Sequence, residues 1–205
     1  MDEDCVYEVD STVDSVVASM LVGDSSLAQL HLLLDMWLSD VWDRYDVPAG
    51  QKVDATRKAH RSLDKAWAAQ VLAQRSWPAR TDNDRLDAAM AELTANGVVG
   101  LSNFSCCNRC GHSEAQSLLE EKFPQASGYA FFHIQDVEGA VECGGLSMRF
   151  GPSPKFSDEQ WEGQGLLVGD YVVSVLNRHG LRTEWNHTNA QCINIPDLVW
   201  QKRIG

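Results

Sequence analysis

The first part of the chain alternates apolar and polar residues with the period of an α-helix. Over residues 25–45 the apolar positions fall every three or four residues, and neighbouring leucines widen the stripe until much of the segment reads as buried. A weaker amphipathic segment covers residues 11–22, and a third covers about 53–77. Trp77-Pro78 ends the third, because proline disfavours the helical conformation of the residue before it. The pattern predicts three helices.

A fourth predicted helix has the clearest end signals. Thr81 supplies a capping side chain, acidic residues follow in the first turn, and Asn96-Gly97 closes the segment. From Gly97 onward short apolar runs alternate with helical patterns, which is typical of a sheet packed against helices. We therefore predict an N-terminal helical region, residues 1–96, and an α/β sheet region, residues 97–205, joined in one integrated domain.

The sequence pattern of the sheet region predicts five strands and two helices. The predicted strands cover residues 98–104, 129–135, 146–150, 181–185 and 192–195, and the predicted helices cover 112–123 and 166–179. The order of the first six elements matches a ferredoxin-like split βαβ unit, followed by an extra C-terminal strand. The predicted class is α+β, with the N-terminal helices packed with a mostly antiparallel sheet.

Length and charge narrow the class of protein. The chain has 205 residues, enough to bury a core without disulfides, and a formal net charge of -12. This acidity argues against a nucleic-acid partner, because phosphate backbones demand a basic surplus, and it suits a basic protein partner. Met1 is followed by three acidic residues, and no apolar run of about 18 residues is present, so we predict no membrane partner and a cytoplasmic location.

Chemistry is concentrated in residues 105–112, where an apolar run ends and a helical pattern begins. This segment contains Cys106, Cys107 and Cys110. Thiolates at a helix N-terminus have a lowered pKa, because the exposed N–H groups and the macrodipole favour negative charge there. Such thiolates are good metal ligands or redox groups. In a reducing compartment we expect these cysteines to be free, metal-bound or transiently oxidised.

Zinc is the first interpretation of this cysteine cluster. A structural zinc site takes four tetrahedral ligands, and Cys107-x-x-Cys110 has the spacing for two of them. In a ferredoxin-like sheet the end of the first strand lies beside the start of the third, which would bring Cys143 to the cluster. Cys106 or His112 would then supply the fourth ligand. The predicted zinc ligands are therefore Cys106, Cys107, Cys110, Cys143 and His112.

Two other interpretations of these cysteines stay open. Strand, C-x-x-C and helix in this order also occur in thioredoxin-like redox proteins, although the surrounding elements fit that fold poorly. Alternatively, the thiols are buried and fill a tight strand-to-helix turn, because free cysteine packs as a small hydrophobe. The spacing alone does not choose among metal binding, redox chemistry and packing.

A second polar group ends the strand predicted at residues 129–135. It contains His133, Asp136 and Glu138 within six residues. A histidine followed by acids serves in general acid–base catalysis or supports a metal ligand through a hydrogen bond. We predict that these three residues support or complete a ligand site, and no catalytic residue is assigned.

Two motifs resemble those of a bacterial, largely actinobacterial, family of unknown function. One is N-F-S-C-C-x-x-C-G at residues 103–111, and the other is G-Y-x-F-F-H-x-Q-D-x-E at residues 128–138. The similarity also includes Trp77-Pro78 and the segment after it, and it extends to Trp200 and the basic residues that follow, so it covers about residues 53–203. The resemblance implies a cytoplasmic location and one integrated domain, and no established activity comes with it.

Together these features favour a non-catalytic protein-binding module of the inhibitor or immunity type. Its cysteine cluster would be structural or zinc-binding. The alternative is a thiolate-dependent enzyme, either redox or acyl transfer, that uses Cys106, Cys107 or Cys110 with His133 as base.

Overall fold

The structure is a computed structural model that describes residues 1–205, and the chain divides into two compact units. The helical unit consists of Met1–Pro78 and Lys202–Gly205, and the sheet unit consists of Ala79–Gln201. The integration of the two regions into one domain stays a prediction. No helix combines the length and the apolar character that a membrane crossing requires.

The helical unit contains the three predicted long helices. They are α1 (Glu3–Val22), α2 (Leu27–Arg44) and α3 (Ala49–Ala73), and a short 3-10 turn follows at Gln74–Ser76. Local capping fixes two of the starts: Asp2 accepts from the N–H of Cys5, and Ser26 forms a capping box with Gln29. The apolar faces of all three helices bury one shared core. The first helix begins well before the residue that its weak amphipathic pattern predicts.

Residues beyond 201 complete this helical core. Ile204 is buried in it, and the Gln74 side chain holds the Ile204 backbone, accepting from its N–H at 2.9 Å and donating to its carbonyl at 3.1 Å. Lys202 pairs with Asp24, and Arg203 donates to the carbonyl of Pro78 at 2.6 Å. A segment remote in sequence therefore belongs to the fold of the helices.

The sheet unit contains four helices and four strands. They follow one another as α4 (Asp82–Ala95), β1 (Val98–Leu101), α5 (Asn108–Lys122), β2 (Gly128–Phe131), α6 (Ile134–Cys143), β3 (Leu146–Pro152), α7 (Asp158–Arg178) and β4 (Ile193–Ile195). The strands lie in the order β1-β2-β3-β4, with β1 parallel to β2 and the other neighbours antiparallel. The predicted α+β class is confirmed.

The strand order differs from the predicted ferredoxin-like arrangement. That arrangement places the first strand beside the third, whereas here β1 pairs with β2, with Val98 opposite Gly128, and β2 separates β1 from β3. Helix α5 provides the crossover that a parallel pair requires. The strand predicted at residues 181–185 is reduced to a single bridge between Glu184 and Asn194, and the extra C-terminal strand is β4, which pairs with β3.

Helix α6 replaces the end of a predicted strand. Strand β2 ends at Phe131, and His133 caps the helix: its Nδ1 accepts from the N–H of Asp136 at 3.2 Å, and Asp136 Oδ2 accepts from the N–H of His133 at 2.9 Å. This reciprocal pair is a capping box with histidine in the place of serine or threonine. The prediction of a strand that extends to residue 135 is therefore wrong, because His133 caps a helix that begins at Ile134.

Two glycines allow helices to lie close to the sheet. A Cβ at Gly100 would lie 2.7 Å from the carbonyl oxygen of Met90, where β1 approaches α4. A Cβ at Gly111 would lie 2.4 Å from Cε2 of Phe131, where α5 packs against β2. The contact at Gly111 sets the distance between the sheet and the first turn of α5, where the cysteines lie.

Candidate functional site

The cysteine cluster lies at the carboxyl edge of the parallel β1–β2 pair. Residues 102–107 connect β1 to α5, and residues 132–133 connect β2 to α6, so two helices begin at this edge. The two connections are tied together: the N–H of Phe104 donates to the carbonyl of Phe132 at 2.9 Å, and the N–H of Ile134 donates to the carbonyl of Ser105 at 3.3 Å. Open α/β sheets commonly bind ligands at this kind of edge.

The loop that carries the cysteines has an unusual backbone. Asn103 and Ser105 adopt left-handed conformations, with φ of 49° and 64°, which are uncommon for residues other than glycine. The Ser105 hydroxyl oxygen is also buried without a hydrogen-bond partner. Strained backbone of this kind persists where the surroundings hold it and is concentrated at functional sites.

Three thiols converge at the start of α5. The Sγ atoms of Cys106, Cys107 and Cys110 all lie within 4.8 Å of one another. Cys106 is exposed, the other two are partly exposed, and all three are free thiols. The cluster is therefore open to solvent, and the interpretation of these cysteines as buried packing groups does not fit their exposure.

The clustered thiols differ in acidity. The backbone N–H of Cys110, in the first turn of α5, lowers the pKa of Cys107, and the Cys110 thiol acts in the same direction. The same contact raises the pKa of Cys110 to about 11, since its S–H donates to Cys107, and Cys106 adds to the effect. The arrangement favours a thiolate at Cys107 beside a thiol that retains its proton at Cys110.

The structure does not bring Cys143 into this cluster. Cys143 is the last residue of α6, which begins beside the cysteine loop and carries Cys143 about 14 Å away at the helical rise per residue. There the exposed Cys143 lines a groove of about 520 Å³ together with Glu184 and Asn194. The expected convergence depended on the ferredoxin-like strand order and is lost with it.

His112 is also outside the thiol cluster. Its Nδ1 lies 2.8 Å from the hydroxyl oxygen of Tyr129, and its ring packs edge-on against Phe131. Burial lowers the pKa of His112, and the nearby Arg149 lowers it further. Its contacts tie α5 to the sheet, so the thiols have no fourth ligand from the predicted set.

His133 and Asp136 lie beside the cysteine loop, in the first turn of α6 and its cap. Their side chains are 5% and 8% exposed, and Arg149 reaches from β3 to pair with Asp136 and to donate to the carbonyl of Ser147 at 3.2 Å. Burial lowers the pKa of His133, although Asp136 opposes that shift. Glu138, the third residue of this predicted group, lies exposed on α6.

Sequence reasoning gave no role to Arg149 or Cys192. Both line a pocket of about 90 Å³ together with Asn108 and His112, and Asn108 directly follows Cys107 in the chain. The pairing of β3 with β4 places residue 192 at this pocket. No local pattern around either residue signals this placement, because it depends on pairing between distant segments.

The fold and the site together define a class: an α+β protein with a solvent-accessible thiol cluster at a helix N-terminus. The chain belongs to the family described as Domain of unknown function (DUF6891), whose model matches residues 22–204. The predicted resemblance to a family of unknown function is confirmed at this level. No curated protein and no solved structure is detectably similar to the chain. No activity comes from these comparisons, so the function must be inferred from the site.

Proposed function

We propose that the protein is a non-catalytic metal-binding module in which Cys106, Cys107 and Cys110 hold one zinc ion and leave one coordination position open. The observation that carries this proposal is the mutual approach of three Sγ atoms within 4.8 Å. Sulfurs bound to one tetrahedral zinc at the usual Zn–S distance are about 3.8 Å apart, so small side-chain rotations are enough to complete the site.

The chemistry of the three donors fits zinc. The backbone N–H of Cys110 already favours the thiolate form of Cys107, and ligation of Cys110 requires the loss of its thiol proton. A structural zinc site is closed by four protein ligands, whereas three ligands leave a position for water or for a side chain of another molecule. The exposure of Cys106 supports an open site.

A basic protein partner is part of this proposal. The net charge of -12 would attract a basic surface. A module of the inhibitor or immunity type acts by binding such a partner and has no catalytic turnover of its own. A cytoplasmic location would keep the thiols reduced. Capture of complexes at moderate salt, followed by mass spectrometry, tests the partner. We expect one stoichiometric basic protein, and a protein that is isolated alone at every salt concentration contradicts this part.

Native mass spectrometry tests the metal. We expect the thiol cluster of the reduced protein to bind one zinc ion, to lose it to a strong chelator and to regain it on addition of zinc. Cys107→Ser and Cys110→Ser should lose this ion. Cys143→Ser, which changes an exposed cysteine outside the cluster, is the matched control and should keep it. The proposal is wrong if the reduced protein takes up no zinc, or if all three variants behave alike.

A thiolate-dependent enzyme is the second candidate function. It is favoured by the pairing of partly exposed Cys107 and Cys110 in a C-x-x-C motif between a strand and a helix, and the opposite shifts of their pKa values agree with it. Exchange with a disulfide substrate would form one Cys107–Cys110 bond and pass two electrons to the substrate, which leaves as two thiols. His133 is not placed as a base, because it is buried as the cap of α6.

Alkylation kinetics distinguish this second candidate from the first. In chelator-treated protein, a redox or acyl-transfer cysteine should react at neutral pH much faster than Cys143, with modification mapped to Cys107. The enzyme is also expected to form the Cys107–Cys110 disulfide with oxidised glutathione. Labelling of Cys107 no faster than that of Cys143, with no disulfide formed, would exclude it.

A further inference from the structure

Two histidines and two aspartates join α2 and α3 in a crossed arrangement, here called the His/Asp tetrad. His31 and Asp35 lie on α2, and His60 and Asp64 lie on α3. His31 Nε2 lies 2.9 Å from Asp64 Oδ1, and His60 Nε2 lies 2.7 Å from Asp35 Oδ1. Each aspartate thus contacts the histidine of the opposite helix.

The tetrad has an approximate two-fold symmetry that the sequence encodes. Both helices carry the spacing H-x-x-x-D, which places histidine and aspartate one turn apart on the same face. Because α2 and α3 run in opposite directions here, each histidine lies opposite the aspartate of the other helix.

The two imidazole rings meet through their Nδ1 atoms. These atoms are 2.6 Å apart, while the ring centroids are 4.8 Å apart and the ring planes differ by 20°. The rings are therefore nearly parallel and touch edge to edge. If each Nε2 carries the proton that its aspartate partner accepts, the two Nδ1 lone pairs point at each other and repel unless a cation lies between them.

We propose that the His/Asp tetrad binds one divalent transition-metal ion of the zinc, nickel and copper class through Nδ1 of His31 and His60. Metal-bound histidines almost always donate the other ring N–H to a carboxylate, a backbone carbonyl or water, and the Nε2 of each histidine lies within hydrogen-bond distance of an aspartate. The carboxylates of Asp35 and Asp64 also place negative charge beside the two imidazoles, which favours a cation. The imidazole is a preferred ligand for this class of metals.

The distances and exposure allow such an ion to enter. Two nitrogens at the usual Zn–N distance of a tetrahedral ion are roughly 3.3 Å apart, so the Nδ1 atoms, now 2.6 Å apart, must separate by about 0.7 Å. Both histidine side chains are 26% exposed and both aspartate side chains are 54% exposed, so water can fill the remaining positions. The tetrad lies within the helical unit and shares no residue with the thiol cluster.

The experiment uses a protein in which the thiol cluster is removed by Cys106→Ser, Cys107→Ser and Cys110→Ser together. Zinc chloride is titrated into this protein by calorimetry in a non-chelating buffer, and we expect one bound ion. His31→Gln or His60→Gln should abolish the binding. Asp64→Asn should weaken it by about 10–100-fold without removing a ligand. His179→Gln is the matched control, since His179 also pairs with a carboxylate, that of Glu92, but meets no second imidazole.

Copper binding gives a second measurement, which does not depend on the heat of binding. Bound Cu²⁺ should show coupling to two nitrogen nuclei by electron paramagnetic resonance, and this two-nitrogen signal should be absent from either single histidine variant. If a histidine variant fails to fold, as judged by circular dichroism, Asp35→Asn takes its place with the expected weakening. The proposal is overturned if the thiol-free protein binds no zinc, or if it binds zinc equally well with His31 and His60 replaced.

Discussion

The ion pair between Arg149 and Asp136 is the most buried pair of opposite charges near the candidate site. Their side chains are 15% and 8% exposed. Asp136 also accepts the backbone N–H of His133 in the capping box of α6. Each of these buried charges needs the opposite charge beside it, because removing one leaves the other buried and uncompensated. Arg149 therefore links β3 to the start of α6.

We expect Arg149→Met to destabilise the protein by about 3 kcal/mol, since it leaves the Asp136 carboxylate buried without its partner. Urea unfolding measures the change, and Asp136→Asn in the same chain should recover part of the loss. Arg182→Met is the control, because Arg182 pairs with Asp197 and Glu184 at an exposed position, where ion pairs contribute little. Equal losses in the two arginine variants would contradict the role given to Arg149.

Residue chemistry could be predicted where it is encoded locally. Cys106, Cys107 and Cys110 are close in sequence, and a helix start holds them together as predicted. His133 and Asp136 were also singled out, although as the end of a strand. Arg149 could not be found in the same way, because nothing in the strand sequence around it marks its side chain as the partner of a distant carboxylate.

The start of α5 is set by a close contact between the helix and the sheet. Gly111 follows the last cysteine of the cluster and faces Phe131, so that any side chain at position 111 meets the aromatic ring. The helix can approach β2 only because Gly111 lacks a Cβ. The same contact places the thiols at the carboxyl edge of the sheet rather than farther above it.

Gly111→Ala is expected to destabilise the protein by about 1–3 kcal/mol, because the new methyl group overpacks against Phe131. Gly139→Ala, in the interior of α6 with open space around it, is the control and should stabilise by up to about 1 kcal/mol through helix propensity. Thermal unfolding of both variants checks this. A stabilised Gly111→Ala would mean that α5 does not depend on close approach to the sheet.

Helices and strands were predicted correctly where the period of the hydrophobic pattern and the capping residues indicated the same structure. The existence of the long helices and α5 was predicted from their helical patterns, which are weakest in α1, with errors confined to their ends. Helix α6 was missed because an apolar run led directly into it and because His133 is a rare residue in a capping box. The strand at residues 181–185 was overpredicted, since alternation alone does not supply a pairing partner.

On the scale of the whole molecule, protonation of buried histidines couples stability to pH. Burial lowers the pKa of His112 and of His133 from the ordinary value of 6.5. In the unfolded chain both residues regain that ordinary value and take up protons that the folded protein does not bind. The free energy of unfolding therefore decreases as pH falls below about 6.5.

His112→Gln should reduce this pH dependence, because it removes one of the two histidines and keeps a polar side chain near Tyr129. Chemical denaturation at pH 7, 6 and 5 measures the effect. His187→Gln, at a histidine whose side chain is 71% exposed, is the control and should leave the slope unchanged. Identical slopes for the wild type and His112→Gln, or stability that rises on acidification, would contradict the assignment.

The spatial arrangement of the elements was the feature hardest to predict from the sequence. The α+β class follows from the change of pattern near Gly97, but strand order depends on pairing between segments that no local signal connects. That order decides which distant residues meet: it separates Cys143 from the cluster and places Cys192 in a pocket that is also lined by Asn108, the residue after Cys107. The H-x-x-x-D repeat on α2 and α3 was visible in the sequence, but its meaning depends on how the two helices are aligned.

The burial of Ile204 among the N-terminal helices has a consequence for biosynthesis. The ribosome makes these helices first, yet their core is finished only after the entire sheet unit has been translated. Until then the nascent helices expose the apolar surface that Ile204 covers, and the Gln74 amide lacks its backbone partners. Cleavage or premature termination before Lys202 should therefore damage helices that emerged before the sheet unit.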